Sequence, residues 1–319
     1  MPATLFPMRV ITQDQLGGPE VLHESTADRP SPGPTEILVR VHAAGLNPVD
    51  AKTRAHGGFL GQPPFVLGWD VSGVVEQAGA GVTLFEPGDE VFGMPWFPRP
   101  AGAYADYVTG PARHFAAKPA GLDHVRAAGL PLTGLTAWQA LVDRAEVRPG
   151  QRVLIHAAAG GVGHLAVQIA KARGAYVIGT ARASKHDLLR DLGADEVIDY
   201  TAVDFTGAID PVDVVIDPIG GADGPRCLRV LKPGGILVSL NSPAEQHLVA
   251  PAAELGVRAG FLLVEPDRAG LLALADLVRT GRLRVLVEAS LPLAEAAKAH
   301  ELSETGRVTG KIVLTTDAA

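Results

Sequence analysis

The stretch Arg152–Ala170, RVLIHAAAGGVGHLAVQIA, constrains this chain more than any other. A short apolar run stops at a cluster of small residues, and a helical hydrophobic pattern begins at once. Ala158, Gly160 and Gly163 keep the spacing G-x-G-x-x-G with alanine in the first place. Small residues there permit a tight turn, close approach of backbone to a pyrophosphate, and close helix–strand packing. The helix start adds unbonded N–H groups and the positive end of its dipole. The spacing alone is a weak signal. Its position between a strand and a helix reads as a dinucleotide-binding turn, with Ala159, Gly160, Gly161, Val162 and Gly163 as contact residues.

The surrounding text supports this. Strand patterns at 152–157, 175–180, 195–199, 212–217 and 235–240 alternate with helical ones at 161–173 and 185–192, and a longer connection follows 199. Parallel strands need such crossovers, so this part reads as an open, doubly wound parallel α/β sheet with helices on both faces. Residues 1–120 read differently. Short runs such as EILVRVHAAGL, VSGVVEQAG and GAYADYVT are separated by SPGP, AGAG and EPGD, which predicts a mostly β, barrel-like unit. HVRAAGLPLTGLTAWQALVDRA has helical spacing, and the tail from about 267 ends in the strand GKIVLTT.

An NAD site places Asp or Glu at the end of the second strand to accept from the ribose hydroxyl. Thr180 or Ala181 stands there, with no acid before Asp187; Arg182, Ser184 and Lys185 follow instead. Two cations and a hydroxyl suit a 2′-phosphate, so the cofactor expected is NADP(H). The formal charge of −7 argues against nucleic acid as a partner. One cysteine, Cys227, excludes an internal disulfide framework and a zinc site of several thiolates. No apolar run reaches transmembrane length and MPATLFPMRVITQ has no signal-peptide pattern, so the expectation is a cytoplasmic protein without a membrane partner.

AAAGGVGHLAVQIAKARGAYVIGTA, LGADEVIDY, DVVIDPIGG, LKPGGILVSL and GRVTGKIVL, together with AAGLNPVDAKTR, GWDVSGVV, GDEVFG, GAYADYV and PLTGLTAWQAL, resemble the medium-chain dehydrogenase/reductase superfamily. The branch is similar to the zinc-independent quinone oxidoreductases and their enoyl-reductase relatives. The resemblance implies a GroES-like β-barrel domain built from both chain ends, 1–122 and 267–319, around a Rossmann domain at 123–266. Zinc-dependent members hold their metal with a cysteine and a Gly-His-Glu histidine; here Asp50, Trp69 and Asp70 stand at those places, so no metal is expected.

Without a metal, alcohol oxidation lacks the group that removes its proton. A quinone or α,β-unsaturated carbonyl is already electrophilic, and hydride from NADPH reaches it if donors stabilise the developing oxyanion. By resemblance, Asn47 donates through its amide in the cleft, and Thr133 and Thr136 approach the nicotinamide. Lys52 protonates the enolate if burial lowers its pKa. Tyr200 reaches the adenosine phosphate, Asp217 lies beside the cofactor crevice, and Lys311 lies near the cofactor. Asp50 and Arg54 read as an i, i+4 pair. Trp69, Met94, Trp96 and Phe97 are candidates for an apolar substrate wall or for core. GVRAGFLLVEPD reads as an exposed edge, which in relatives continues the sheet into a second copy, so a homodimer is expected. Alternative readings are an enoyl reductase of a biosynthetic pathway, or a weakly catalytic NADPH-binding protein with a binding or regulatory role.

Overall fold

A computed structural model describes residues 7–316, so the first six residues of the N-terminal pattern discussed above lie outside the described residues. The chain divides into two compact units: 1–135 with 265–279 and 285–319, and 136–264 with 280–284. The divisions fall inside the helix Pro131–Trp138 and after Val264, where the sequence suggested 122 and 267.

The first unit is mostly β. Its seven-stranded sheet runs Val287–Pro292, Lys311–Thr315, Glu36–Leu46, Asp70–Ala78, Glu90–Gly93, Phe115–Ala117, with Tyr107–Pro111 also paired to Glu36–Leu46. Pro7–Gln13, His23–Asp28 and Phe65–Val66 form a three-stranded sheet. Along EILVRVHAAGL, Ile37, Val39 and Val41 recur every second residue and are all fully buried, as the period of a strand with one face on a core requires. That strand divides one of its edges. Residues 36–40 pair with 107–111, and residues 43–46 pair with 312–315 from the far end of the chain. Lys311 thereby arrives beside Leu46 and Asn47.

The second unit is a six-stranded parallel sheet in the order Glu196–Asp199, Tyr176–Ala181, Arg152–Ile155, Val212–Asp217, Leu231–Ser239, Arg258–Phe261. Val153, Leu154, Ile155, Val215 and Ile216 are all fully buried, an unbroken apolar run of the kind that helices on both faces demand. The strand order reverses between Arg152–Ile155 and Val212–Asp217, and ligand crevices of open α/β sheets form at such a reversal. The expected long helix at 124–145 is interrupted. His124–Ala128 ends at Gly129, Pro131–Trp138 follows, and Gln139–Arg144 is π-helical.

Candidate active site

In the second unit, the Arg152–Ile155 strand runs into the small-residue turn. His156 N–H bonds Ile216 O at 3.1 Å and Ala158 N–H bonds Thr180 O at 3.0 Å, which pins the turn between the fourth and second strands. Ala157 takes a left-handed φ of 46°, and its carbonyl accepts from Gly160 N–H at 2.9 Å. At Gly163 a Cβ would sit 2.3 Å from Ala157 O and 2.6 Å from Ala158 Cα, so no side chain fits there. That absence lets the Gly163–Ala172 helix start against the turn. Gly161, Val162 and Gly163 open the helix with N–H groups that carry no backbone partner among the described residues. The site is half-exposed at residues 160–162.

At the end of the second strand, Arg182 and Ser184 are exposed and Lys185 is half-exposed. Arg182 Nε donates to the Tyr200 hydroxyl at 3.1 Å, which brings together two residues proposed separately from the sequence. The fold adds an acid that local reading missed. Asp199 lies opposite Ala181 on the neighbouring strand, and its carboxylate accepts from Ala183 N–H at 3.3 Å and from Thr201 N–H at 2.9 Å. The Thr201 hydroxyl, which donates to the same carboxylate at 2.6 Å, and the Thr201 N–H hold the carboxyl below its usual range. Thr180 is buried, and its hydroxyl meets His156 Nδ1 at 3.1 Å.

Asp217, expected beside the cofactor crevice, ends the fourth strand at the reversal of strand order. It is fully buried, and one carboxylate oxygen accepts from Ile219 N–H at 2.9 Å and Gly220 N–H at 3.0 Å. It shapes the loop after the fourth strand, where Gly220 and Gly221 have φ of 70° and 67°. His156 is a packing histidine: its Nε2 lies 3.3 Å from Cys227 Sγ, and burial lowers its pKa. Cys227 is buried, and burial pushes its thiol up, away from the thiolate.

In the first unit, polar side chains converge where three strands end. Asn47 precedes the helix Pro48–His56, and its N–H donates to Asp50 Oδ2 at 2.8 Å, a helix-start bond of capping-box type. Its Nδ2 donates to Asp70 Oδ2 at 2.9 Å, and its Oδ1 accepts from Lys311 Nζ. Asp70 also accepts from Leu132 N–H at 2.8 Å, and Lys311 donates to Leu46 O at 2.7 Å. Asn47, Asp50 and Asp70 are 0% exposed and Lys311 2%. Burial pushes the Asp50 carboxyl up to about 7 and that of Asp70 up to about 6, and it lowers the pKa of Lys311. Gly45 makes room for the cluster, because a Cβ there would meet Ala128 O at 2.3 Å and Asp70 Cβ at 2.9 Å.

A second buried chain abuts it. Arg54 Nη1 lies 3.0 Å from His300 Nδ1, and His300 Nε2 lies 3.3 Å from the Tyr104 hydroxyl. A guanidinium only donates, so Nδ1 accepts and the proton sits on Nε2. Burial lowers the His300 pKa to about 3, which agrees with the neutral ring. The sequence-based pairing of Asp50 with Arg54 is corrected: Arg54 pairs with Glu304 at 2.7 Å and donates to Gly17 O at 3.0 Å, while Asp50 turns to the helix start.

Lys52 is exposed, so the burial on which its proton-donating role depended is absent. Thr133 is buried, and its hydroxyl donates to Gly129 O, four residues back, at 3.0 Å. Thr136, on the same helix, is 6% exposed. Trp69, Met94 and Phe97 are buried core, while Trp96 is half-buried. Lys311, expected near the cofactor, donates its ammonium to Leu46 O and Asn47 Oδ1.

Two family descriptions match the chain: the alcohol dehydrogenase GroES-like domain at residues 33–120 and the zinc-binding dehydrogenase at residues 192–314. The structure of the quinone oxidoreductase from Coxiella burnetii superposes with a TM-score of 0.93 at 41% identity, covering 97% of this chain and 99% of that one. The NADPH-dependent alkenal/one oxidoreductase of Arabidopsis thaliana chloroplasts is 36% identical over 96% of this chain and 79% of its own. A 2-haloacrylate reductase from Burkholderia is 35% identical over 93% of this chain and 96% of its own. The chain belongs to the medium-chain dehydrogenase/reductase superfamily, in its quinone-oxidoreductase-like branch. Its two units are accordingly a GroES-like domain and a Rossmann domain.

Proposed function

We propose that this chain is an NADPH-dependent oxidoreductase that reduces quinones or α,β-unsaturated carbonyls. The observation that carries this reading is the Ala159–Gly163 turn at the strand-order reversal, with Arg182, Ser184, Lys185 and Tyr200 gathered at the end of the second strand. The names of the quinone oxidoreductase and the alkenal/one oxidoreductase support it.

The residues present fit the cofactor. Gly163 leaves the backbone bare at the turn, and the amides of Gly161–Gly163 suit a pyrophosphate. Arg182 and Ser184 are open to a 2′-phosphate, while Asp199 is held by Ala183 and Thr201. When bound, NADPH supplies a hydride. Asn47 is the donor proposed for the developing oxyanion: its amide is aligned by Asp70, and Lys311 on its carbonyl makes the remaining Nδ2 hydrogen more acidic. Asn47 is buried, so a substrate oxygen reaches it only as neighbouring side chains part. Thr133 and Thr136 are proposed to line the approach to the nicotinamide, and Lys52 remains a weaker candidate because it is exposed.

We read the reaction as zinc-independent, although one matched family is described as zinc-binding. Asp50 and Asp70 stand where soft ligands would be needed, and both accept hydrogen bonds inside the unit. The proposed assembly is a homodimer through the Arg258–Phe261 edge strand, beside which Leu255 and Leu263 are 53% and 41% exposed. Light scattering at micromolar concentration checks it: twice the chain mass is expected, and a monomer contradicts it. Among the described residues no helix is long and apolar enough to cross a membrane.

The test of function is NADPH oxidation against quinones, enals, enones, saturated aldehydes and simple alcohols paired with NADP+, with and without chelator. Turnover confined to quinones or conjugated carbonyls and unaffected by chelation is expected. Preference for simple alcohols, or loss of turnover on chelation, contradicts the reading.

A further inference from the structure

Asn47 can present either end of its amide to a neighbour, and the two ends have the same shape. What fixes its orientation is the chemistry on either side. Lys311 Nζ is an ammonium with three donors and no acceptor, so only Oδ1 of Asn47 can face it. Asp70 Oδ2 accepts at 2.9 Å, so the Nδ2 end turns there; the other Asp70 oxygen is taken by Leu132 N–H at 2.8 Å. Lys311 Nζ lies 3.7 Å from Asp70 Oδ2, so the two charges also face each other.

We infer that Lys311 and Asp70 are positioning residues that lock the Asn47 amide with one N–H free for a substrate oxygen. The inference rests on the proposed reductase function. The lock is built by strand register. Gly45 pairs with Asp70 on one side of the Glu36–Leu46 strand, and Leu46 pairs with Ile312 on the other. The two charged residues therefore flank the strand end from which Asn47 emerges, and Gly45 has no Cβ to obstruct Asp70. A buried ion pair that only closed the sheet would need no amide between its members. Here the amide bridges them, donating to the anion and accepting from the cation.

The alternative is a purely structural pair, and charge-balanced variants separate the two. Lys311→Met and Asp70→Asn each leave one charge unpaired, whereas the double variant removes both. The readouts are Tm, NADPH affinity by fluorescence titration, and kcat with a simple enone or quinone. Each single variant is expected to lower Tm and to lower kcat about tenfold or more, with NADPH affinity unchanged. In the double variant Tm returns most of the way to wild type and kcat does not. Recovery of kcat together with Tm overturns the inference, as does wild-type kcat in either single variant. If Lys311→Met does not fold, Lys311→Arg keeps the charge but moves its donors; near-wild-type Tm with reduced kcat supports the lock, and unchanged kcat overturns it. Wild-type protein that reduces no quinone or enone overturns the functional reading itself, which is seen before any variant is made.

Discussion

The two polar centres of this molecule are built by opposite means. The turn after the Arg152–Ile155 strand is made of backbone: its groups are N–H donors, its side chains are small or absent apart from Val162, and its basic neighbours reach solvent. The cluster around Asn47 is made of side chains, wholly buried, with the Lys311 ammonium bonded to an amide 264 positions away in the chain and facing the Asp70 carboxylate. A backbone site tolerates change on its rim but not a Cβ inside it. A buried side-chain site is held by every partner, so loss of one leaves another stranded.

The largest expected effect tests the buried side. Arg54→Met should destabilise the protein by about 3 kcal/mol, because His300 Nδ1 and Gly17 O lose their donor and Glu304 its partner. Urea denaturation checks it, and NADPH affinity should hold. A loss below ~0.5 kcal/mol would show that the buried chain is not tightly coupled.

Next comes the interior of the turn. Gly163→Ala forces a Cβ to within 2.3 Å of Ala157 O and should cost about 1–3 kcal/mol, together with NADPH affinity. Gly207→Ala, where a Cβ meets nothing within 4 Å, is the control and should change little.

The rim of the turn should respond in binding alone. Arg182→Ala is expected to reduce the preference for NADPH over NADH by about tenfold, since an exposed charge-assisted bond is weakened by solvent. Tm should stay unchanged. Calorimetric titration showing equal loss for both cofactors would place Arg182 away from the 2′-phosphate.

The smallest and most selective effect concerns pH. The folded pKa of Asp50 is raised from 3.8 to about 7, so folding favours its protonated form. Its stabilising contribution is complete below pH 3.8 and is lost as pH rises through about 7. His300 works in the other direction. Its folded pKa is lowered from 6.5 to about 3, so its contribution is present above pH 6.5 and is lost as pH falls toward 3. Asp50→Asn keeps an acceptor for Asn47 N–H and removes the first titration. The Tm of that variant relative to wild type should therefore rise between pH 5 and pH 8, and a flat difference would show that Asp50 stays charged throughout.

The same contrast explains what the sequence disclosed. The turn is a local pattern, so spacing and flanking periodicity located it, and Arg182 and Tyr200 were found even though their contact was not. Strands 152–155 and 212–217 lie where apolar runs put them. Asp199 was missed because it reaches the second strand by sheet pairing, which no local window contains. The buried cluster was half visible: Asp70 inside GWDVSGVV and Lys311 at the head of an apolar strand are charges where apolar text is expected. That they meet through Asn47, and that Arg54 turns to Glu304 rather than to Asp50, follows from strand register and helix packing over long separations.

The central claim is hydride delivery to a conjugated acceptor. NADPH deuterated at C4, on each face in separate reactions, should be incubated with an α,β-unsaturated ketone and the product examined by NMR. Deuterium on the β-carbon with the carbonyl intact is the expected result. Deuterium on the carbonyl carbon, giving an allylic alcohol, would contradict it.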